Sequence, residues 1–323
     1  MSNKDKWEMP IKINVVKKNM QKKETGQNKI AKNKTEITQK LTAKLNLLQN
    51  TPPRADGGAY AGAIAIIGGG NLGKSIALGL VQSNYAKPEN IIVTRRNVAA
   101  INDLQQMGIA TTTNNVVAVQ QANIVLLCVK PYQIAEVIKT IQKAITNNHI
   151  IISVVTGVSL VDLQLMITKK IALFRAMPNT AIAVQQSMTC ISHSNATNEH
   201  IETVTQLFAN VGRVAIIEDA LMDAATVLGA CGTAYAMRYI RANIQGGIEI
   251  GFDSKTATLI AAQTVLGAAD LLLQKNTHPE AEIDKVTTPK GCTIAGLNEM
   301  EHQGFSSSLI KGIQTSYYKI VKV

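Results

Sequence analysis

The chain has 323 residues, of which 46% are hydrophobic and 17% charged, with a formal net charge of +11 at pH 7. This length suffices for two domains, because single hydrophobic cores stop growing at roughly 250–300 residues. The four cysteines and five histidines show neither the spacing of a disulfide framework nor that of metal ligands, so we expect no disulfide scaffold and no metal site. Isolated cysteines suit a reducing, cytoplasmic location.

Most of the positive charge lies at the start of the chain. Residues 1–60 contain 12 Lys and one Arg against five acidic residues, a net of +8 that leaves +3 for residues 61–323. Apolar residues are sparse in this segment, so we predict a disordered basic extension and linker over residues 1–60. A nucleic-acid arm would gain from interleaved aromatic residues, and these are nearly missing. We therefore expect no nucleic-acid partner, although a nucleic-acid-binding tail could coexist with another function.

Short apolar runs alternate with helix-like stretches after the linker. The runs are nearly continuous, as in strands buried on both faces, and lie at residues 63–67, 91–94, 124–129, 150–155 and 172–175. The helical patterns lie at residues 75–83, 98–107 and 134–145. Strands alternating with helices predict an α/β fold with a parallel sheet, which we assign to a domain at residues 61–219.

From about residue 221 the strand signal disappears. Apolar helical stretches lie at residues 222–228, 234–246 and 255–273. The last stretch is long enough to cross a membrane, but it contains Gln263 and Asp270, and an acid near the centre of a bilayer is costly. An apolar helix of this kind indicates burial in a bundle or a subunit interface. We predict an all-helical domain at residues 220–323 and no membrane partner.

The first apolar run ends in a glycine-rich motif. The segment Gly68-Gly69-Gly70-Asn71-Leu72-Gly73 matches G-x-G-x-x-G between a predicted strand and a predicted helix, the context typical of a Rossmann dinucleotide site. Gly68 permits the tight turn, Gly70 lets the backbone approach a pyrophosphate, and Gly73 allows close helix packing. We expect the helix N-terminus, with Asn71 and Leu72, to face the phosphates.

The end of the second apolar run indicates which dinucleotide binds. An NAD site usually has Asp or Glu about 20 residues after the glycines, but Thr94-Arg95-Arg96 stand here. Guanidinium groups match a dianionic 2′-phosphate. The sequence therefore favours NADPH as the cofactor, with NADH as the alternative.

A second candidate site lies near the C-terminus, in the segment Thr287-Thr288-Pro289-Lys290-Gly291-Cys292-Thr293, which precedes a helical stretch at residues 294–302. Backbone N–H groups at a helix start and threonine hydroxyls suit a small carboxylate. The alternative is a simple helix-capping role for Thr293.

Residues 61–323 resemble pyrroline-5-carboxylate reductases. The matching segments lie at residues 67–73, 128–131, 153–158, 175–180, 278–279, 287–293 and 304–305. The resemblance implies a Rossmann domain followed by a helical dimerisation domain. It also implies hydride transfer to the C=N bond of 1-pyrroline-5-carboxylate to give L-proline, and a homodimer of the kind that often assembles into decamers.

The resemblance also assigns roles to individual residues. Those expected to line the cofactor groove are Asn115, Val129, Lys130 and Pro131, and those expected near the nicotinamide and the substrate are Met177, Pro178 and Asn179. The residues expected to hold the substrate carboxylate are Thr288, Gly291, Cys292 and Thr293, with Thr293 as the catalytic residue beside the imine. The chain departs from the family's pattern at Lys290, where glycine is common, and around Cys231.

Two other functions stay open at this point. A non-catalytic NADPH-binding regulator of the same fold would accommodate these departures. A β-hydroxyacid dehydrogenase would need a catalytic lysine on the helix between the domains, and residues 221–251 contain none.

Overall fold

The computed structural model describes Tyr60 and residues 62–321. The predicted disordered extension therefore lies outside the described residues, apart from Tyr60. All described residues belong to one compact unit, Pro53–Val323.

Eight strands form one sheet in the order β3-β2-β1-β4-β5-β6-β7-β8. They are β1 (Ile64–Ile67), β2 (Ile91–Thr94), β3 (Ala110–Thr112), β4 (Ile124–Leu127), β5 (Ile150–Ser153), β6 (Ala172–Met177), β7 (Ser187–Ser194) and β8 (Gly212–Ile216). Neighbouring strands are parallel except β6 and β7, which are antiparallel. The strand order reverses at β1, between β2 and β4. The carboxyl ends of β1 and β4 therefore form the switch point at which open α/β sheets bind ligands.

Six helices accompany the sheet, and apolar side chains fill both of its faces. The helices are α1 (Asn71–Gln82), α2 (Asn102–Gln106), α3 (Asn115–Gln120), α4 (Ile134–Ile141), α5 (Leu160–Ile167) and α6 (Asn198–Ala209). Ile66, Leu126 and Phe174 belong to one buried cluster, whereas Val125 and Leu173 belong to the other. Successive strand residues point to opposite faces, so only a continuous apolar run can fill both. Each fully buried side chain of this size stabilises the fold by about 1.5–3 kcal/mol.

The structure confirms the parallel-dominated sheet and corrects its details. Three strands were missed, β3, β7 and β8, because they carry polar residues instead of continuous apolar runs. Alternating strands and helices predicted a sheet that is parallel throughout. The antiparallel pairing of β7 with β6 shows that it is not. Helix α1 begins at Asn71, four residues before the predicted start, and α3, α5 and α6 were not predicted.

After β8 the described chain is helical. A connecting helix, Asp219–Glu249, contains α7 (Met222–Ala225), a π-turn (Thr226–Cys231) and α8 (Gly232–Glu249). It is followed by α9 (Ser254–Lys275), α10 (Pro279–Lys285), α11 (Cys292–His302) and α12 (Phe305–Val321). The side chain of Asp253 caps α9 by accepting from the N–H groups of Lys255 and Thr256. The connecting helix begins at Asp219. A domain boundary at residues 219–220 stays a prediction.

Much apolar surface of these helices is exposed in the single chain. Away from its junction with the sheet, the described helical region has one small buried apolar cluster, formed by Ile244, Ala257 and Ala261. The connecting helix and α9 are long and apolar enough to cross a membrane, by length and composition only. Apolar surface on this scale marks either a subunit interface or a membrane contact.

Candidate active site

The glycine loop follows β1 at the switch point of the sheet. Gly68 has φ +111°, a conformation that L side chains rarely adopt, and a Cβ there would lie 2.5 Å from the Cys128 carbonyl oxygen. The N–H groups of Gly68 and Gly69 donate to the Thr94 carbonyl oxygen at 3.2 and 2.7 Å. The loop is therefore held against the ends of both β2 and β4.

The start of α1 is open to a ligand. Gly70 is the N-cap residue, no side chain caps the helix, and a Cβ at Gly70 would meet nothing within 4 Å. A Cβ at Gly73, by contrast, would lie 2.2 Å from the Gly68 carbonyl oxygen. Gly73 thus permits close packing, whereas Gly70 leaves space and free N–H groups for a phosphate, as a dinucleotide requires.

The arginines after β2 border the glycine loop. One guanidinium nitrogen of Arg95, Nη1, donates to the Gly69 carbonyl oxygen at 2.7 Å, and Arg96 is exposed. The Thr94 hydroxyl accepts from the Gly68 N–H at 3.3 Å. No carboxylate occupies residues 94–96, so the charge at this strand end suits a 2′-phosphate and not a pair of ribose hydroxyls.

Two further segments complete this edge of the sheet. Asn115 is the first residue of α3, and its side chain forms no hydrogen bond with any described residue. Its neighbour Asn114 caps the helix instead, by accepting from the N–H groups of Val116 and Val117. The segment Val129-Lys130-Pro131 follows β4, with Lys130 and Pro131 exposed. The structure thus brings all the predicted cofactor residues to the carboxyl edge of the sheet.

Cys128 lies beside the glycine loop, with its carbonyl oxygen facing Gly68 and its side chain packed against a buried apolar cluster. Burial raises its pKa to about 12, so this thiol stays protonated at neutral pH. It therefore packs as an apolar group and carries no nucleophilic chemistry.

The segment Met177-Pro178-Asn179 lies at the same edge, at the end of β6. Met177 and Pro178 are buried, whereas Asn179 is half-buried. The Asn179 side chain accepts from the Ala181 N–H at 3.1 Å and donates to the Gly229 carbonyl oxygen at 3.2 Å. Its amide group is therefore already bonded to protein on both sides, and its place near the nicotinamide stays a prediction.

A groove of about 610 Å³ opens beside Asn179 and was not anticipated from the sequence. It is lined by Thr180, Ala230, Thr233, Ala234, Met237, Arg238 and Arg241. Neither of its two arginines forms an ion pair with a described residue. Their spacing of three residues on one helix was the available signal. The groove lies between the turn that follows β6 and the first turns of α8.

The C-terminal loop forms a tight turn before α11. The Gly291 N–H donates to the Thr288 carbonyl oxygen at 2.9 Å, and Lys290 has φ +62°. Gly291 is the N-cap residue of α11, so the alternative capping role of Thr293 is wrong. Thr293 is half-buried, and its hydroxyl forms no hydrogen bond with the described residues. The N–H groups of Cys292 and Thr293 are left as donors for an anion.

This loop and the sheet edge are not joined within one chain. Among the described residues, no hydrogen bond or ion pair links residues 287–293 to the strands or to residues 177–179. The main contacts of α11 are with α12. No polar contact therefore links the two halves of the predicted site within the described part of a single chain.

A partly buried charge network joins the sheet to the connecting helix, and no sequence pattern indicated it. The Arg175 guanidinium contacts the carboxylates of Asp219 at 2.9 Å and Asp223 at 3.4 Å. Burial raises the pKa of the Asp219 carboxyl, but hydrogen bonds from the Leu160 N–H, the Ser192 hydroxyl and Arg175 outweigh it. The pKa of Asp219 therefore lies below its usual range.

Comparison with known proteins assigns both halves of the chain. The family model "Pyrroline-5-carboxylate reductase dimerisation" matches residues 219–322, and "NADP oxidoreductase coenzyme F420-dependent" matches residues 63–157. Pyrroline-5-carboxylate reductase 2 of Dictyostelium discoideum is 41% identical over 275 residues, which cover 80% of this chain and 92% of that protein. The chain belongs to the pyrroline-5-carboxylate reductase family. This confirms the resemblance and decides against a β-hydroxyacid dehydrogenase.

Other relatives support the same family and the same architecture. Pyrroline-5-carboxylate reductase 1 of Dictyostelium discoideum is 48% identical over 269 residues, which span 80% of this chain but only 49% of that longer protein. A solved reductase structure from Coxiella burnetii superposes with a TM-score of 0.74 at 26% identity, over 81% of this chain and 98% of that one. The NADP-bound Plasmodium falciparum enzyme, at 21% identity, has a TM-score of 0.75 over 81% and 98% of the two chains and supports the fold alone. The Rossmann sheet with a C-terminal helical region is thus the family's architecture.

Proposed function

We propose that the chain reduces 1-pyrroline-5-carboxylate to L-proline with NADPH, as a homodimer. The observation that carries this proposal is that a reductase relative of 41% identity aligns over 80% of the chain, from the glycine loop to the helices that match the dimerisation model. When bound, the reduced nicotinamide supplies the hydride that the C=N carbon of the substrate accepts. The protein itself binds the cofactor and the substrate, orients the substrate ring and delivers a proton to the ring nitrogen.

The residues at the carboxyl edge of the sheet favour NADPH over NADH as the cofactor. The bare N-terminus of α1 suits the pyrophosphate, and Arg95 and Arg96 suit the 2′-phosphate where an NAD site would have an acid. Arg95 is held beside the loop by its bond to Gly69, so its charge is fixed near the adenosine side. NADH remains the weaker alternative, because it lacks the group that these arginines would contact.

The C-terminal loop supplies the substrate carboxylate site. The N–H groups of Cys292 and Thr293 are free at the start of α11, whereas the Gly291 N–H is committed to the turn. Gly291 acts sterically, because a Cβ there would lie 2.5 Å from the Thr288 hydroxyl. The free hydroxyl of Thr293 donates to the ring nitrogen or relays a proton to it through water.

A second copy of the chain completes the site. Within one copy the loop at residues 287–293 is not bonded to the nicotinamide edge, and the helices that carry the loop expose much apolar surface. Dimerisation through these helices would cover that surface and bring the loop of one copy to the groove beside Asn179 of the other. A decamer of such dimers and a cytoplasmic location are further parts of this proposal.

The direct test is NADPH absorbance decay on addition of racemic 1-pyrroline-5-carboxylate, with NADH in parallel and with proline measured as the product. Decay with proline formation supports the reaction, and the two rates rank the cofactors. NADPH binding without any decay would instead favour the non-catalytic regulator.

Thr293→Ala tests the proposed proton donor. We expect kcat to fall by about 10²- to 10⁴-fold, the usual contribution of a positioned proton donor, with little change in the Kd of NADPH. Thr140→Ala on α4 is the matched control, because its hydroxyl only bonds the Glu136 carbonyl oxygen on an exposed helix face. Unchanged turnover in Thr293→Ala would remove this role.

A further inference from the structure

Strand β6 and the turn that follows it bond to the connecting helix at two separate points. At the first, Arg175 contacts Asp219 and Asp223. At the second, four residues further along the chain, Asn179 donates to the Gly229 carbonyl oxygen. Two fixed points on one strand end determine both the position and the direction of the helix that follows.

The first point, the contact of Arg175 with Asp219, is held by several bonds. The Arg175 side chain is only 5% exposed. The carboxylate of Asp219 accepts from the Leu160 N–H at 3.1 Å and the Ser192 hydroxyl at 2.8 Å, as well as from Arg175 at 2.9 Å. These donors come from α5, β7 and β6, so one carboxylate ties three elements of the sheet region to the start of the connecting helix. A change in the helix angle would break several of these bonds together.

The second point depends on the π-turn. In a π-turn each carbonyl oxygen accepts from the N–H five residues further along the chain, instead of four as in an α-helix, so the direction of the carbonyl groups changes locally. Such turns are frequent at functional sites. Here the Gly229 carbonyl oxygen accepts from Asn179 Nδ2 at 3.2 Å and from the Thr233 hydroxyl at 3.3 Å. Asn179 is itself fixed, because its N–H donates to the Ser187 hydroxyl and its Oδ1 accepts from the Ala181 N–H.

The groove beside Asn179 lies between the parts that these two points hold. One wall comes from Thr180, which follows Asn179, and the other from Thr233 and Met237 in the first turns of α8. The wall on α8 belongs to the connecting helix, whereas Thr180 follows the end of β6. The distance between the two walls is therefore set by the bonds of Arg175 and Asn179.

We propose that Arg175 and Asn179 are positioning residues for hydride transfer, which act by fixing the connecting helix against the carboxyl end of β6. This inference rests on the proposed reductase function. On this assignment Asn179 influences the substrate through the shape of the groove, because both ends of its amide are bonded to protein. Misplacement of reacting atoms by about 1 Å can cost 10²-fold in rate, so loss of either fixed point lowers kcat more than it weakens cofactor binding.

Asn179→Asp in the full-length protein isolates the second point. The aspartate keeps an acceptor for the Ala181 N–H but loses the donor to Gly229 and places a carboxylate against a carbonyl oxygen. We expect kcat to fall at least tenfold while the Kd of NADPH changes less than twofold. Asn195→Asp is the matched control, since it removes an amide donor bond of 2.7 Å to Gln164 on the exposed surface, and its kcat should equal that of the wild type.

Arg175→Lys and Arg175→Met test the first point by partial rescue. A lysine can reach one carboxylate and not both, so kcat should fall in the order wild type, Arg175→Lys, Arg175→Met, with rates counted per NADPH-binding site. Activity that merely follows the fraction of folded protein, with wild-type kcat per site, would overturn the proposal.

Hydrogen exchange separates failure of this inference from failure of the proposed function. If the wild type does not reduce the substrate, the reductase proposal fails, and the exchange of amides at residues 226–236 decides the positioning claim by itself. Asn179→Asp must then speed exchange in this segment while β6 stays protected. Unchanged protection of residues 226–236 would overturn the claim.

Discussion

The sheet region and the helical region solve the burial of apolar side chains in different ways. In the sheet region two large clusters fill both faces, so strands β1, β4 and β5 have no exposed residue. In the helical region the cluster away from the junction contains three buried residues, and Leu259 on α9 is 69% exposed. The sheet region therefore has a complete core within one chain, whereas the helical region needs a second copy to cover its apolar surface.

The strongest test of this difference places the same charge in both regions. Leu259→Glu should raise the dimer dissociation constant at least 100-fold, about 3 kcal/mol, because a carboxylate would be buried without a partner. Leu165→Glu on α5 is the matched control, because Leu165 is equally exposed, at 73%, but belongs to the sheet region. Light scattering after gel filtration measures the change. A Leu259→Glu dimer as tight as the wild type would contradict the claim that a second copy covers the apolar surface of the helical region.

The sheet region can be probed at two glycines of the same loop that differ in the space beside them. Gly73→Ala should lower the free energy of unfolding by about 3 kcal/mol through overpacking, because its Cβ would lie 2.2 Å from the Gly68 carbonyl oxygen. Gly70→Ala should cost under about 1 kcal/mol, as expected at an N-cap, since its Cβ meets nothing within 4 Å. Both should weaken NADPH binding, measured by fluorescence titration. Equal stability losses in urea unfolding would contradict this steric account.

The junction between the regions should respond to acid through Asp219. Its folded-state pKa is below the unfolded value, so the unfolded state binds more protons and the stability from this group is lost as pH falls below about 4. Asp219→Asn should lower the free energy of unfolding by roughly 1–2 kcal/mol at pH 7 and flatten the acid side of its pH dependence. Asp284→Asn, at an exposed position on α10, serves as control. An equally steep acid slope in Asp219→Asn would show that other groups carry the effect.

The smallest effect compares backbone strain in the two regions. Thr168, at the end of α5, and Lys290, before α11, have φ values of +61° and +62°. Glycine is free of the left-handed penalty, so Lys290→Gly should raise stability by about 0.5–1 kcal/mol. Thr168→Gly should raise it less, because it also removes the hydroxyl that accepts from Gln142 at 3.0 Å. Thermal unfolding measures this. Lys290→Gly that is less stable than the wild type would indicate that the lysine side chain makes a stabilising contact in the dimer.

Much of the fold was readable from the sequence, and the misses have a physical cause. Strands β1, β2, β4, β5 and β6 were predicted because burial on both faces demands continuous apolar residues. Strand β3 at the sheet edge, and β7 and β8 with their polar residues, lack this demand and therefore lack the signal. The antiparallel turn from β6 into β7 depends on the 3₁₀ turn Thr180–Val184 capped by Asn179, which no periodicity reveals.

By itself, the sequence determined the local chemistry of this protein: a glycine loop before a helix, arginines in place of an acid after β2, and a hydroxyl-rich turn before α11. These are short-range features, because each depends on neighbours within a few residues. Only the tertiary structure decided how they combine, through Arg175 with Asp219 and Asn179 with Gly229, pairs that lie 44 and 50 residues apart. Contacts at such separations depend on how strands and helices pack, and packing is a property of the whole chain.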